Sequence, residues 1–163
     1  MKPIKLNQKS VQLLTPRIGD EYKAMYHYRA SSNWCKDNGF MMAAAYFDKE
    51  SKEELEHAEG LQKYLVDWNV IPALNEIDAA PKFTSIDEII SKSYSLEYDL
   101  YEQYEETSMA ILELPDPCTF DFLQKYRNIQ TESVAKYADM LNIIEGVEPS
   151  KINMLLIEHK LFG

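Results

Sequence analysis

The chain has 163 residues, enough for one domain with a sizeable core that needs no disulfide or metal merely to fold. Its net charge of −10, from 17 basic and 27 acidic residues, argues against duplex nucleic acid and anionic membranes as partners and favours cations. The five glycines are too scattered for a phosphate-binding loop, which excludes the usual nucleotide motifs.

The first half of the chain is predicted to form two long helices. Pro16 follows Thr15, a combination typical of a first helical residue after its cap. Apolar residues then recur at helical spacing as far as Asn38 and Gly39, which form a C-terminal stop. A second helix is expected from about residue 40 to about residue 69.

A long connection is expected over residues 70–81, because this segment holds two prolines and no clear hydrophobic period. Ser85 and Glu88 then have the S-x-x-E spacing of a capping box. They are predicted to open a third helix that lasts to about Leu114.

The last part of the chain is predicted to hold a fourth long helix and a short fifth one. Asp116 is a candidate cap, with Pro117 as the first residue of the fourth helix. That helix should end near Gly146, and Ser150 should start a fifth helix over about 151–161. No segment shows the alternation of a β-strand.

Four helices of about 23–30 residues, each about 35–45 Å long, pack most simply as an all-α four-helix bundle. The first and third breaks are short, so each joins an antiparallel pair. The middle connection, at about 3.3 Å per extended residue, can run most of the length of a helix. One long crossover is the ferritin-like topology, in a single domain over 1–163. An ordinary up-down bundle with a loose loop is the alternative.

Each long helix carries a metal-capable side chain inside its apolar stripe. These residues are Glu21, Glu54 with His57 one turn later, Glu97 and Gln130. Buried carboxylates without partners are costly, and two divalent cations would balance three of them. The E-x-x-H spacing is the one that di-iron sites in bundle cores use, and the oxygen and nitrogen ligands suit Fe²⁺ or Mn²⁺, with Zn²⁺ as a competitor.

Each of these residues also has a simpler interpretation. A lone E-x-x-H occurs often on solvated helices, and His57 is equally compatible with a core histidine that makes one hydrogen bond. Glu21 or Glu97 alone could lie at the edge of its stripe and extend to solvent. The case for a metal centre depends on finding one such residue in every long helix.

Several stretches, in order and spacing, resemble the bacterial-type non-haem ferritins over nearly the whole chain. They are Glu21 with Tyr28, residues 33–35, 39–40, 43–47, 53–57, 71–72, 85–88, 94–97 and 119–124, and Gln130. The resemblance implies a cytoplasmic homo-oligomer of 24 subunits that forms a hollow cage. Each bundle would oxidise Fe²⁺ with O₂ or H₂O₂ and deliver Fe³⁺ to a mineral core inside.

Carried over by position, the resemblance implies that Glu21, Glu54 and His57 hold one iron. Glu54 would bridge to a second iron held by Glu97, with Gln130 hydrogen-bonding nearby or weakly coordinating. Tyr28 matches the family tyrosine beside this centre, a candidate electron donor. The alternative for Tyr28 is a core tyrosine whose hydroxyl is paired.

The sequence departs from the family at a third iron position that many bacterial members have. Glu53 and Glu132 match two of its carboxylates, whereas Ile129 and Ser133 replace the other two. A full third site is therefore not expected, because each lost carboxylate lowers affinity for a cation. Glu50, one turn before Glu54, is a candidate substitute, or an edge residue in solvent.

Haem is not expected. Gln130 and Ser133 stand where bacterioferritins have a second E-x-x-H, and Leu55 stands where they have a haem-binding methionine. Two alternatives to the storage function remain open: a ferritin-like di-metal oxidase or peroxidase, and a non-catalytic metal-storage bundle.

The cysteines and the hydropathy pattern indicate the cellular compartment in which the protein is expected. Cys35 and Cys118 form no close pair, so each is expected to be a small buried side chain in a reducing cytoplasm. The first ten residues lack the apolar region of a signal peptide. No apolar stretch approaches the length of about 18 residues that spans a membrane, so no membrane contact is expected.

Overall fold

The computed structural model describes residues 4–163, which form five helices and no strand. They are α1 (Gln8–Asp37), α2 (Met41–Asp67), α3 (Ile86–Leu112), α4 (Pro117–Ile144) and α5 (Lys151–Phe162). The most extensive packing joins α1 to α2 and α3 to α4, and α1 also packs on α3. The predicted all-α, ferritin-like bundle with a long crossover and a short fifth helix is confirmed. The single domain predicted over 1–163 includes residues 1–3, which lie outside the described residues.

The start of α1 corrects the prediction at Pro16. The helix begins eight residues earlier, at Gln8, and Pro16 lies inside it. Asn7 is the cap, and its side chain accepts a 2.8 Å hydrogen bond from the Lys9 amide. Pro16 leaves the carbonyl of Gln12 without a helical donor, but both residues are exposed, so water can satisfy that carbonyl. Helix interiors tolerate proline where the lost bond faces solvent.

The turn between α1 and α2 forms where predicted. Gly39 has φ of +81°, the left-handed conformation that glycine adopts without a steric penalty. Phe40 precedes α2 and provides no side-chain cap. Glu158 of α5 replaces it, because one of its carboxylate oxygens accepts from the amides of Met42 and Ala43 at 2.8 and 3.0 Å. Helix α5 therefore closes the end of α2 that the local sequence leaves open.

The caps of α3 and α4 lie at the predicted residues. Ser85 accepts a hydrogen bond from the Glu88 amide at 3.1 Å, as in a capping box. The Glu88 carboxylate, however, accepts from the amide and hydroxyl of Thr84 and does not return to Ser85. Asp116 caps α4 through the Thr119 amide and also accepts a hydrogen bond from Ser10 of α1 at 2.5 Å. Asp116 thus ties the starts of two helices together.

The buried apolar residues form two clusters, one toward each end of the bundle. One contains Phe47 and is covered by α5, and the other contains Leu14. Tyr28 belongs to the first cluster and Tyr104 to the second, and the hydroxyl of each donates to a buried glutamate. A layer of charged side chains therefore separates the two halves of the core.

The two cysteines differ in their burial. Cys35 is buried as expected, but Cys118 is exposed near the start of α4, so the prediction that both are buried is wrong for Cys118. Within residues 4–163, no helix combines the length and the apolar character needed to cross a membrane.

Candidate metal centre

Three of the predicted ligands converge inside the bundle from two helices. Glu21 of α1 is fully buried, Glu54 of α2 is 4% exposed, and His57 lies one turn after Glu54. One ligand atom from each residue lies within 4.8 Å of the other two. His57 Nδ1 is 3.1 Å from Glu54 Oε2 and 3.6 Å from Glu21 Oε2. Neither glutamate extends to solvent.

The other two predicted ligands form a second pair on α3 and α4. Glu97 is fully buried and Gln130 is 1% exposed. The amide of Gln130 donates to Glu97 Oε2 at 2.8 Å and also reaches the Glu97 carbonyl oxygen at 3.3 Å. The structure therefore buries four of the five predicted residues and leaves the His57 side chain 20% exposed. Three of the five face one another, and the other two are joined by an amide hydrogen bond.

The carboxylates of the two groups are close enough to influence each other. Burial raises the pKa of the Glu54 carboxyl well above its usual range, and the charges of Glu21 and Glu97 raise it further. Burial also raises the pKa of Glu97, against the opposing hydrogen bonds from Tyr28 and Gln130. Without a counter-charge, this layer favours holding protons, and a cation would relieve the same repulsion.

His57 carries part of that counter-charge. Burial lowers its pKa, but the neighbouring carboxylates of Glu21 and Glu54 together outweigh burial and leave the pKa raised to about 10. The carbonyl oxygen of His57 also accepts a 3.0 Å hydrogen bond from the Tyr126 hydroxyl of α4, which fixes this turn of α2 against α4. The backbone at His57 is therefore fixed against α4, while its imidazole is hydrogen-bonded to Glu54 and lies beside Glu21 of α1.

One buried carboxylate oxygen in the layer has no hydrogen-bond partner, although it lies 3.6 Å from His57 Nδ1. Glu21 Oε2 accepts no hydrogen bond although it is inaccessible to solvent. Buried polar atoms without partners are rare in folded proteins, and each requires an explanation. This oxygen belongs to the group with Glu54 and His57, and two carboxylate oxygens with an imidazole nitrogen suit a divalent cation such as Fe²⁺, Mn²⁺ or Zn²⁺. The residues present therefore fit a metal ion.

Two tyrosines donate hydrogen bonds to the carboxylates of Glu21 and Glu97 in a crossed arrangement between α1 and α3. The Tyr28 hydroxyl on α1 donates to Glu97 on α3, while the Tyr104 hydroxyl on α3 donates to Glu21 on α1. The pairing predicted as the alternative for Tyr28 is thus present. Sequence analysis missed Tyr104, although a signal existed: it follows Glu97 by seven residues, just as Tyr28 follows Glu21.

The acids considered for a third iron position, Glu50, Glu53 and Glu132, do not form a common group of ligands. Glu50 is 6% exposed and is paired with Lys136 of α4, so it is not an edge residue in solvent. Glu53 is partly exposed, 3.4 Å from Lys49, and Glu132 is exposed. No group of three ligands forms among these acids within residues 4–163.

Comparison with known proteins shows which family this chain resembles. A family model described as a ferritin-like domain matches residues 11–147. A bacterial non-heme ferritin of Escherichia coli O6:H1 is 25% identical over 157 residues, covering 96% of this chain and 95% of its own. One from Campylobacter jejuni is 28% identical over 141 residues, covering 86% and 84%.

A solved structure agrees with the fold. An open-pore ferritin from the hyperthermophilic archaeon Archaeoglobus fulgidus superposes with a TM-score of 0.88. The match covers 96% of this chain and 98% of the archaeal chain, at 20% sequence identity. At that identity the likeness establishes the shared fold.

Proposed function

Because the chain belongs to the ferritin-like domain family, we propose that it is an iron-storage subunit whose bundle interior oxidises Fe²⁺. One observation carries the proposal: Glu21, Glu54 and His57 meet in the interior around a carboxylate oxygen that has no hydrogen-bond partner. Fe²⁺ is the substrate in this proposal, and no haem is required.

Each ligand has a separate role in the proposed centre. Glu21, Glu54 and His57 bind one Fe²⁺, and Glu54 is shared with a second Fe²⁺ at Glu97. Gln130 positions Glu97 through its amide hydrogen bond. Two Fe²⁺ ions together supply the two electrons that reduce O₂ to H₂O₂, or H₂O₂ to water, and the shared carboxylate keeps the two cations close together.

The proposal extends to the assembled particle. We propose that the subunits form a hollow cage of 24 copies that stores ferric mineral inside, as the resemblance to bacterial ferritins implies. Apolar side chains exposed on the single chain support burial between subunits: Ile71 is 93% exposed and Leu74 is 64% exposed on the crossover. A cytoplasmic location is part of the proposal and is supported by the free thiols of Cys35 and Cys118.

The decisive experiment follows Fe²⁺ oxidation by absorbance after addition of O₂, and again with H₂O₂. Glu54→Ala should abolish the fast phase, because it removes the carboxylate shared by both ions, whereas Gln130→Ala should only slow it. Glu56→Ala is the matched control, since it removes an exposed carboxylate two residues away on the same helix. Wild-type rates in Glu54→Ala would place the oxidation elsewhere.

The alternatives predict different results in the same assay. A non-catalytic storage bundle would take up Fe²⁺ without oxidising it faster than free iron. A di-metal oxidase or peroxidase would act on an organic or peroxide substrate and would leave no ferric mineral in the particle. Mineral formation that depends on Glu54 is the result that only the proposed function predicts.

A further inference from the structure

An open depression of about 260 Å³ adjoins the candidate metal centre between α2 and α4. Its ionisable lining consists of Glu50, Glu53, Glu54, His57, Glu132 and Lys136. Glu54 and His57 belong to the candidate metal centre itself, so the other four are the groups that this depression adds. Four carboxylates in one concave surface would attract a divalent cation, but the lining already contains an ammonium group.

Lys136 is fixed in this depression by several contacts. Its Nζ lies 2.8 Å from Glu50 Oε2, and the hydroxyl of Tyr137 donates to the same oxygen at 3.3 Å. The ammonium also lies 5.4 Å from the ring centre of Tyr46 and 5.1 Å from that of Tyr137, within the range of cation–π attraction. Lys136 therefore occupies a defined position and is not a freely moving surface side chain.

The charge of Lys136 is permanent at physiological pH. Burial lowers its pKa, but Glu50 and Tyr46 together outweigh burial and raise the pKa above the ordinary lysine value. Glu50 is more buried than Glu53 and Glu132. Its carboxylate is therefore the one that would attract a cation in this depression most strongly. Glu53 and Glu132 are more exposed, and their charges are better screened by water.

We infer that Lys136 is the resident cation of this depression and sets the cation capacity of the site. Its ammonium neutralises Glu50 and repels any divalent ion that approaches Glu53 and Glu132. The inference rests on the proposed function in taking divalent cations as the ligands. A chain with a neutral side chain at this position would bind one more ion beside the centre.

The test counts Zn²⁺ bound to the assembled protein by calorimetry with Zn²⁺ alone. Lys136→Gln should bind one more Zn²⁺ per chain than wild type, with at least about a 10-fold gain in affinity at that site. Lys136→Arg keeps the charge and should bind the wild-type number. Lys125→Gln, which removes an exposed ammonium from the same helix, should also match wild type.

Two further measurements identify the ligand of the gained ion and provide a test that does not depend on the folding of Lys136→Gln. The double variant Glu50→Gln/Lys136→Gln removes the pair together and should lose the gained ion, which identifies Glu50 as its ligand. If Lys136→Gln alone fails to fold, crystals of the wild-type protein soaked in Zn²⁺ decide by anomalous scattering. Zn²⁺ at Glu50 with Lys136 displaced would overturn the inference, and Glu50 still paired with Lys136, without Zn²⁺, would support it.

A folded Lys136→Gln that binds no additional ion would overturn the inference. The readout is a difference between variants, so it stands whether or not the wild-type centre oxidises iron. Failure of the proposed function would appear separately, as wild-type protein with no Glu54-dependent oxidation.

Discussion

The carboxylates of Glu21 and Glu97 each accept a hydrogen bond from a tyrosine, Tyr104 and Tyr28 respectively, but they differ in the surroundings of the second oxygen. Each tyrosine holds one oxygen of a glutamate on the facing helix. The second oxygen of Glu21 accepts no hydrogen bond, whereas that of Glu97 accepts one from the Gln130 amide. An ion at Glu21 therefore meets a prepared ligand, and an ion at Glu97 must share its ligand with an amide.

Replacing Tyr104 tests whether its hydroxyl orients Glu21. Tyr104→Phe leaves a second oxygen of a buried carboxylate unpaired, which should cost about 1–3 kcal/mol of stability in the metal-free protein. Loss of such an outer partner commonly lowers metal affinity by about 10-fold or more. Zn²⁺ calorimetry measures the affinity, and Tyr98→Phe, on the exposed side of α3, is the control. Unchanged affinity in a folded Tyr104→Phe would show that the hydroxyl has no orienting role.

His27 gives the folded protein a specific sensitivity to acid. It is buried, hydrogen-bonded to Ser93 at 2.8 Å and packed edge-on against Phe83. Burial lowers its pKa to about 4, and the charges of Lys92 and Lys23 lower it further. The folded-state pKa thus lies below that of the unfolded chain, so the unfolded chain gains a proton first as pH falls.

The expected consequence is a loss of stability between about pH 6.5 and pH 4. His27 should account for up to about 3 kcal/mol of that loss, and none of it above pH 6.5. His27→Gln should therefore show a shallower decline in unfolding free energy across this interval. His159→Gln, at an exposed histidine of α5, should keep the wild-type slope. Parallel curves for wild type and His27→Gln would contradict the assignment.

At the scale of the elements, α5 acts as a clamp on the turn between α1 and α2. Lys151 at its start donates to the carbonyl oxygen of Asn38, after the end of α1, and its ammonium lies 4.0 Å from the ring centre of Phe40. Glu158 near its end accepts from the first amides of α2. A carboxylate at a helix N-terminus is favourable both as a cap and toward the helix dipole.

Removing this clamp should loosen the start of α2 in particular. Glu158→Ala should cost about 1–2 kcal/mol and accelerate hydrogen exchange at Met42 and Ala43. Glu148→Ala removes an exposed carboxylate just before α5 and should leave that exchange unchanged. Exchange mass spectrometry of the peptides covering this region measures both variants. Equal protection of α2 in Glu158→Ala and wild type would mean that another group caps the helix.

The whole molecule exposes apolar surface at places consistent with assembly. Besides Ile71 and Leu74 on the crossover, Ile152 and Leu156 of α5 are 72% and 64% exposed. Single exposed apolar residues are ordinary, but pairs this open on two elements favour contacts between subunits. The crossover is therefore where a change of charge should affect assembly most directly.

Light scattering of wild type should give a particle of about 24 times the 19.0 kDa chain mass. Ile71→Glu/Leu74→Glu should shift the population toward smaller species, because it places charges where apolar surface is expected to be buried. Asn75→Glu adds the same kind of charge beside Leu74 without removing an apolar side chain, and should assemble normally. A stable wild-type monomer or 12-mer would contradict the proposed cage.

Much of the fold was accessible from the sequence because its signals are local. Hydrophobic periodicity located all four long helices, and the caps at Ser85, Asp116 and Ser150 are confirmed. The prediction that α1 begins at Pro16 is wrong, because a proline after a threonine has the same local chemistry at a helix start and inside a helix. The difference is decided by Leu14, which is fully buried and holds the earlier turns of α1 against the bundle.

The sequence by itself determined which residues could form the candidate centre, since a glutamate inside an apolar stripe must face the core. Only the tertiary structure decided how they are partnered. Tyr104 reaches Glu21 across 83 residues, Lys136 reaches Glu50 across 86, and Glu158 reaches the start of α2 across 116. Helical periodicity fixes the face on which a side chain lies but not the residue that faces it, because that depends on how separate helices pack.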